Sequence, residues 1–213
     1  MMNNISKTGH KLRSRAGRRG FTLIEMLVAI AVFSVLIAAA SDIFMMASRA
    51  QRKIFDLQSM QASSRFTLDA IVREVRTGTI DYGYYASREP SLKTPERVLA
   101  LIDSEETPIK FYESDELTEA YCGDALNTPC LLVEVGDYDP APLNPRGIKV
   151  HAVNFFITPE VDPMAFDLTI PGYASDVQPI VTMVMSLESV GRKSGERTYL
   201  DVQATATSRK YVR

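Results

Sequence analysis

The sequence predicts an α+β protein, one long N-terminal helix followed by an antiparallel β-sheet domain that packs against the outer part of that helix. Two observations carry the prediction. From Phe21 to Arg76 there is neither Gly nor Pro, a 56-residue stretch in which nothing obliges a helix to end. Beyond it, residues 79–213 break into short apolar or alternating runs separated by turn-forming residues. Length bounds the rest, since 213 residues allow one domain, or one domain with an appendage, and exclude a large multidomain enzyme. Two cysteines cannot staple such a chain, and 11 Gly with 11 Pro exclude collagen-like or disordered composition.

The first element, residues 1–20, is a basic leader. It holds Lys7, Lys11, Arg13, Arg15, Arg18 and Arg19 with no Asp or Glu, a charge of +6 inside a chain whose formal total is only -2. The remainder carries 18 basic and 26 acidic groups, or -8. From Thr77 onward 12 basic face 21 acidic groups, or -9, a domain that repels a phosphate backbone, so no nucleic-acid partner is expected.

The second element, residues 21–40, contains seventeen apolar residues and one charge, Glu25. As a helix it spans about 30 Å, the thickness of a hydrocarbon core. The basic flank keeps the N-terminus in the cytoplasm and sends everything after Ala40 outward. A cleaved secretory signal is the competing reading, since Ala38, Ala39 and Ala40 offer a small-residue cleavage site. Against it stand an apolar run longer than a signal core, a carboxylate near its start, and a helical pattern that continues past Ala40. That carboxylate costs a few kcal/mol in a bilayer unless it finds a partner or a proton. A cut between Gly20 and Phe21 would create an α-amino group one turn away, able to pair with the glutamate of a neighbouring copy.

The run Arg18, Arg19, Gly20, Phe21, Thr22, Leu23, Ile24, Glu25, Met26, Leu27, Val28 resembles the cleavage and methylation site of type IV prepilins and of the pseudopilins of type II secretion systems. The resemblance implies that a membrane prepilin peptidase removes residues 1–20 and N-methylates Phe21. It implies that Gly20 is the small residue required before the cut and that Glu25 is the assembly glutamate. Its implied partners are the peptidase, other pilin or pseudopilin subunits met through the N-terminal helix, and an inner-membrane assembly platform. It also implies a pilin-like version of the α+β architecture, and a single-pass protein of the inner membrane that passes into an extracytoplasmic filament.

The third element, residues 41–76, continues the helix as an amphipathic one. Ile43, Ala47, Ala50, Ile54, Leu57, Leu68, Ile71 and Val75 recur at three- and four-residue steps, interrupted by Gln61 and Ser64. Leu68, Ile71 and Val75 are expected in the core of the chain's own domain. Nearer the membrane, Ile43, Ala47, Ala50 and Ile54 are expected to meet helices of other subunits. Thr77 and Gly78 supply the stop.

The fourth element, residues 77–213, reads as strands over Arg97–Ile102, Ile109–Tyr112, Leu131–Val135, Ile148–Thr158, Pro179–Val190 and Arg197–Ser208. The last two flank a glycine-bounded loop, residues 191–195, typical of a hairpin. Tyr82–Pro95, Glu113–Pro129 and Gly136–Pro145 are expected as loops. Cys122 and Cys130 fall in one of them, and outside the cytoplasm so close a pair reads as a disulfide closing a small loop, with free thiols as the alternative. Zinc would need two further ligands, and only His10 and His151 are present. Asp137, Asp139, Glu113, Asp115 and Glu116 lack EF-hand spacing and read as solvated acidic loops. His151 has no evident partner and reads as structural. No nucleophile-elbow, P-loop, dinucleotide or zinc-protease pattern occurs, so neither an enzyme nor a cofactor is expected.

Within the class, the long acidic domain fits a minor subunit, and Asp42 stands where major pilins commonly carry a helix-kinking proline. Ala50–Phe55 and Arg65–Arg76 are similar to the helices of J-type minor pseudopilins and related minor pilins. Glu25 argues against the K-type tip subunit, which lacks it. The alternatives are a competence-type minor pilin for DNA uptake, and a signal-anchored enzyme or secreted binding domain, with a mature N-terminus at Ser41 or an uncleaved leader.

Overall fold

The computed structural model describes residues 20–88, 92–123, 128–144, 147–167, 172–173, 177–189 and 197–209. The leader up to residue 19 and the expected hairpin loop 191–195 lie outside the described residues. Two compact units are present, Met1–Arg49 and Ala50–Arg213. Helix α1, Leu23–Thr77, contributes to both, and its 55 residues match the Gly- and Pro-free stretch to within two residues at each end.

In the first unit every described residue from 20 to 47 is exposed. α1 here contains a window of mean hydropathy 2.6 with none of it buried, long and apolar enough to cross a membrane. The few hydroxyls inside the run are satisfied without water. Ser34 Oγ donates to the Ile30 carbonyl and Ser41 Oγ to the Ile37 carbonyl, each at 2.8 Å, one turn back.

The second unit is built on antiparallel pairing. Strands β1 (Thr79–Ile80), β2 (Val98–Ile102), β3 (Pro108–Glu113), β4 (Leu131–Val135) and β5 (Ala141–Pro142) form a five-stranded sheet in sequence order. Strands β6 (Ile148–Thr158), β9 (Ile180–Ser189) and β10 (Tyr199–Thr207) form a second sheet, ordered β10-β9-β6. A two-stranded ribbon, β7 (Phe166–Asp167) with β8 (Gly172–Tyr173), completes it. The six expected strands are thus all present, and the α+β layout of a long N-terminal helix followed by antiparallel sheets is pilin-like.

Both sheets and the outer part of α1 share one core. Met60, Ile71 and Val75 from the helix bury against Leu99, Leu101, Phe111 and Leu131 of one sheet and Val153, Phe155, Met183, Met185 and Leu187 of the other. Met183, Met185 and Leu187 alternate along β9 as a half-buried strand requires. Ser64 and Thr67 lie on the same buried helix face, so the residue that reads as an interruption of the apolar stripe is part of the packed surface. Ser64 Oγ resolves its burial by donating to the Gln61 carbonyl at 3.0 Å. Leu68 is only partly buried at the edge of this core.

Three expected loops carry short elements. Tyr82–Ala86 forms α2, capped by Asp81, whose side chain accepts from the Tyr84 amide at 2.9 Å. Glu119–Cys122 is a 3-10 turn. β5 falls within Gly136–Pro145 and sits at the sheet edge, where Pro142 has no ladder bond to lose. Gly78 ends α1 by allowing close approach, since a Cβ there would lie 2.6 Å from the Ile102 carbonyl oxygen and 3.0 Å from that of Glu74.

Candidate functional site

The N-terminal motif folds into a helix start whose geometry is specified by two of its own side chains. Thr22 precedes the first helical residue, and its carbonyl accepts the Met26 amide at 3.2 Å. The Glu25 amide donates to Thr22 Oγ1 at 3.3 Å, and the Thr22 amide donates to Glu25 Oε2 at 3.5 Å. This reciprocal arrangement is a capping box, which satisfies two of the otherwise orphaned amides of a helix N-terminus. The carboxylate also lies where the helix dipole favours negative charge. Glu25 is therefore turned back toward residue 22, beside the Gly20–Phe21 junction and not out along the apolar face.

Gly20 precedes this box in non-helical backbone and is exposed. A Cβ built on it meets nothing within 4 Å. Nothing in this chain's own packing requires glycine there, so any demand for a small residue comes from whatever binds the segment. Phe21 is 77% exposed and Leu23 84% exposed. The structure thus gathers Gly20, Phe21 and Glu25 at one helix end, with Thr22 as a fourth member that the sequence reading did not single out. Its signal was present, since Thr followed three residues later by Glu before an apolar run is the capping-box signature.

The remaining sequence-derived candidates lie in the second unit. Cys122 and Cys130 are disulfide-bonded, with Cα atoms 5.8 Å apart, and both are buried with Leu132 and against Tyr112. The bond closes the chain around the end of the 3-10 turn, and the Ser114 hydroxyl accepts the Cys130 amide at 2.9 Å. Among the described residues no group of three or more His, Cys, Asp or Glu side chains is placed to hold a metal ion.

His151 differs from its sequence reading, because it has a partner. It sits at a β-bulge, where the register of β6 against β9 shifts between Val150 and Ala152. The extra residue moves the buried positions of β6 from Ile148 and Val150 to Val153, Phe155 and Ile157. It also brings His151 Nε2 onto Glu188 Oε2. Glu188 is only 3% exposed and receives Arg197 Nη1 at 3.0 Å and the Tyr199 hydroxyl at 3.3 Å on its other oxygen. Burial alone pushes this carboxyl up, but the His151 bond and the Arg197 charge outweigh it and hold the group below the usual carboxylate range. The arrangement clasps β6, β9 and the start of β10 together around one buried carboxylate.

No curated protein and no solved structure matches the chain. The family model of the prokaryotic N-terminal methylation motif matches residues 15–41, the segment that ends the leader, forms the capping box and runs into the exposed apolar helix. Together with the α+β layout, this match supports a type IV pilin-like subunit, processed by prepilin peptidase and anchored by a single membrane helix.

Proposed function

We propose that the chain is a minor pilin or pseudopilin. It is inserted in the inner membrane with its N-terminus in the cytoplasm, cut between Gly20 and Phe21, N-methylated on Phe21, and drawn into a filament with other pilin-like subunits by an inner-membrane assembly platform. The observation that carries this reading is the methylation motif at residues 15–41 placed on a helix start whose apolar continuation is wholly exposed. An apolar helix left open over residues 20–47 needs lipid or other helices around it. Both environments belong to such a subunit, one before assembly and one after.

In the filament Glu25 meets the Phe21 amine of a neighbour, which contributes register more surely than net stability. The finer reading is a J-type minor pseudopilin of type II secretion, or a related minor pilin. It is supported by the long acidic outer domain, by Asp42 and by the Ala50–Phe55 and Arg65–Arg76 segments. The chain acts by assembly and not by catalysis, without a cofactor, and its -9 outer domain argues against a DNA-uptake role.

Mass spectrometry of the mature N-terminus tests the reading directly. N-methyl-Phe21 is the expected result, and a mature terminus at Ser41 or an intact leader overturns it. Glu25→Ala is expected to leave processing largely intact and to impair incorporation. Gly20→Trp is expected to block the cut, and since the chain itself has room for a side chain at this position, the block reports on recognition by the peptidase.

A further inference from the structure

We infer that the free edge of β10 is a docking site for an extended segment of another protein, which adds to the sheet as a further strand and carries basic residues on the side that faces Asp201. The inference stands apart from the filament reading, because β10 lies in the second unit and owes nothing to the N-terminal motif.

The direction of each β10 amide follows from the two ends of its ladder with β9. In an antiparallel pair, residues that exchange both backbone hydrogen bonds with the residue opposite alternate with residues that point both groups away. The Ser189 amide donates to the Thr198 carbonyl and the Ser208 amide to the Pro179 carbonyl, each at 2.9 Å. Between these bonds β10 and β9 keep one register without a shift. The even-numbered residues from Thr198 to Ser208 therefore face β9, while Tyr199, Asp201, Gln203 and Thr205 turn amide and carbonyl to the open side. Among the described residues no backbone partner meets these outward groups. The open stretch ends at Thr207, beyond which Ser208 and Arg209 bond to the end of α1.

Other sheet edges are short or closed. β1 and β5, at the two sides of the five-stranded sheet, are two residues long each, and β5 contains Pro142. β6, on the opposite side of the sheet from β10, has outward amides that are occupied within the chain. Val150 donates to the Pro129 carbonyl at 2.9 Å, Phe155 to that of Glu96 at 2.8 Å, and Val153 to the Glu113 carboxylate. β10 lacks the devices that keep an edge from pairing, since it has no Pro, Gly, Lys or Arg and no bulge. Its inner face is also unfinished. Met185 and Leu187 of β9 are buried, whereas Val202 and Leu200, directly opposite them, are only partly covered.

These features select the occupant. Amides and carbonyls presented at every second residue, about 6.8 Å apart, are matched by another extended backbone. Apolar side chains on the inner side of that segment continue the row of Leu200 and Val202. On the outer side, Asp201 is the one charged side chain of β10 and the outer domain carries -9, which favours a segment with basic residues there. A second copy of this chain fits poorly, because its β10 offers no cation and brings another -9 domain.

The test uses the detergent-solubilised full chain and a synthetic peptide, Lys-Val-Thr-Val-Lys-Val-Thr-Val-Lys, with hydrogen exchange read residue by residue. In the free chain the amides of Asp201, Gln203 and Thr205 are expected to exchange at least a hundredfold faster than those of Leu200, Val202 and Ala204. Saturating peptide is expected to slow the first three at least tenfold and to leave the others unchanged. Two further peptides are N-methylated on alternate residues, one on each of the two sets. One is expected to bind at least tenfold more weakly and the other within threefold of the parent, because a strand turns only one set of amides to β10. Replacing the lysines by glutamates is expected to weaken binding at least fivefold. Gln203→Pro removes an outward amide without touching the ladder to β9 and is expected to lower affinity at least tenfold, whereas Gln203→Ala stays within threefold. Absence of saturable binding, equal affinity of the two methylated peptides, or equal slowing of both sets of β10 amides overturns the proposal. Protection of the outward amides that rises with protein concentration in the absence of peptide puts a second copy on the edge and overturns the choice of occupant.

Discussion

Replacing Glu188 by Gln removes a negative charge from a place that the fold has closed to water. The carboxylate is 3% exposed and is met by His151, by Arg197 at 3.0 Å and by the Tyr199 hydroxyl at 3.3 Å. Hydrogen bonds to charged groups contribute about 1.5–3 kcal/mol each. They do not add here, because the side chains of His151 and Arg197 are 38% and 47% exposed and regain hydration once the charge is gone. Glutamine keeps the shape and one acceptor. The expected loss at pH 7 is about 2–3 kcal/mol, below the 3–5 kcal/mol typical when a fully buried pair is broken. The pH dependence follows from the direction of the shift. A carboxyl held below its ordinary value in the folded state contributes stability that is complete above that ordinary value, and loses it as pH falls through the folded one. The gap between wild type and variant is therefore full at pH 7 and closes below about pH 4.5. Urea unfolding of the detergent-solubilised chain at pH 7 and pH 3.5, followed by far-UV circular dichroism because no Trp is present, measures both. A gap equal at the two pH values would refute the ionic origin, and one under about 0.5 kcal/mol at pH 7 would refute the clasp itself.

Two further perturbations test the outer domain. Cys122→Ser with Cys130→Ser opens a ring whose ends are 8 positions apart, and loop closure predicts a loss of about 2.5 kcal/mol. An unfolding midpoint that does not move on reduction of the wild type would contradict it. Gly78→Ala forces a methyl against two backbone carbonyls at 2.6 and 3.0 Å, and overpacking of this kind costs about 2–3 kcal/mol. An unchanged melting temperature would show that the α1–β1 junction is looser than its geometry implies.

Most of the architecture was legible because it rests on local signals. The absence of Gly and Pro between Phe21 and Arg76 fixed α1, and alternation together with turn residues located all six long strands. What escaped depends on contacts distant in sequence or on single extra residues. Nothing near His151 announces Glu188, 37 positions away, and a bulge leaves only a stumble in the alternation of β6. Ser64 reads as a polar interruption, yet it is buried together with Thr67 because helix geometry, not polarity, decides which side a position occupies. α2 contains Gly83 and is too short for periodicity to show, so only its Asp81 cap marked it. At the candidate site, Gly20, Phe21 and Glu25 were read from their pattern. The hydrogen bonds that tie Glu25 to Thr22 needed only the spacing of those two residues.

The closure of β10 on the end of α1 has a mechanical side. Ser208 Oγ donates to the Gly78 carbonyl at 2.7 Å, and the Arg209 amide donates to that of Arg76 at 3.3 Å. The inner face of α1 from Met60 to Val75 is buried at the same time in the core it shares with both sheets. Tension applied along α1 from its residue-50 side therefore loads the packed face and both bonds in parallel, as shear. Contacts loaded in parallel share the force and yield together, whereas contacts loaded in series give way one after another. A domain fastened in this way travels with its helix when the helix is drawn.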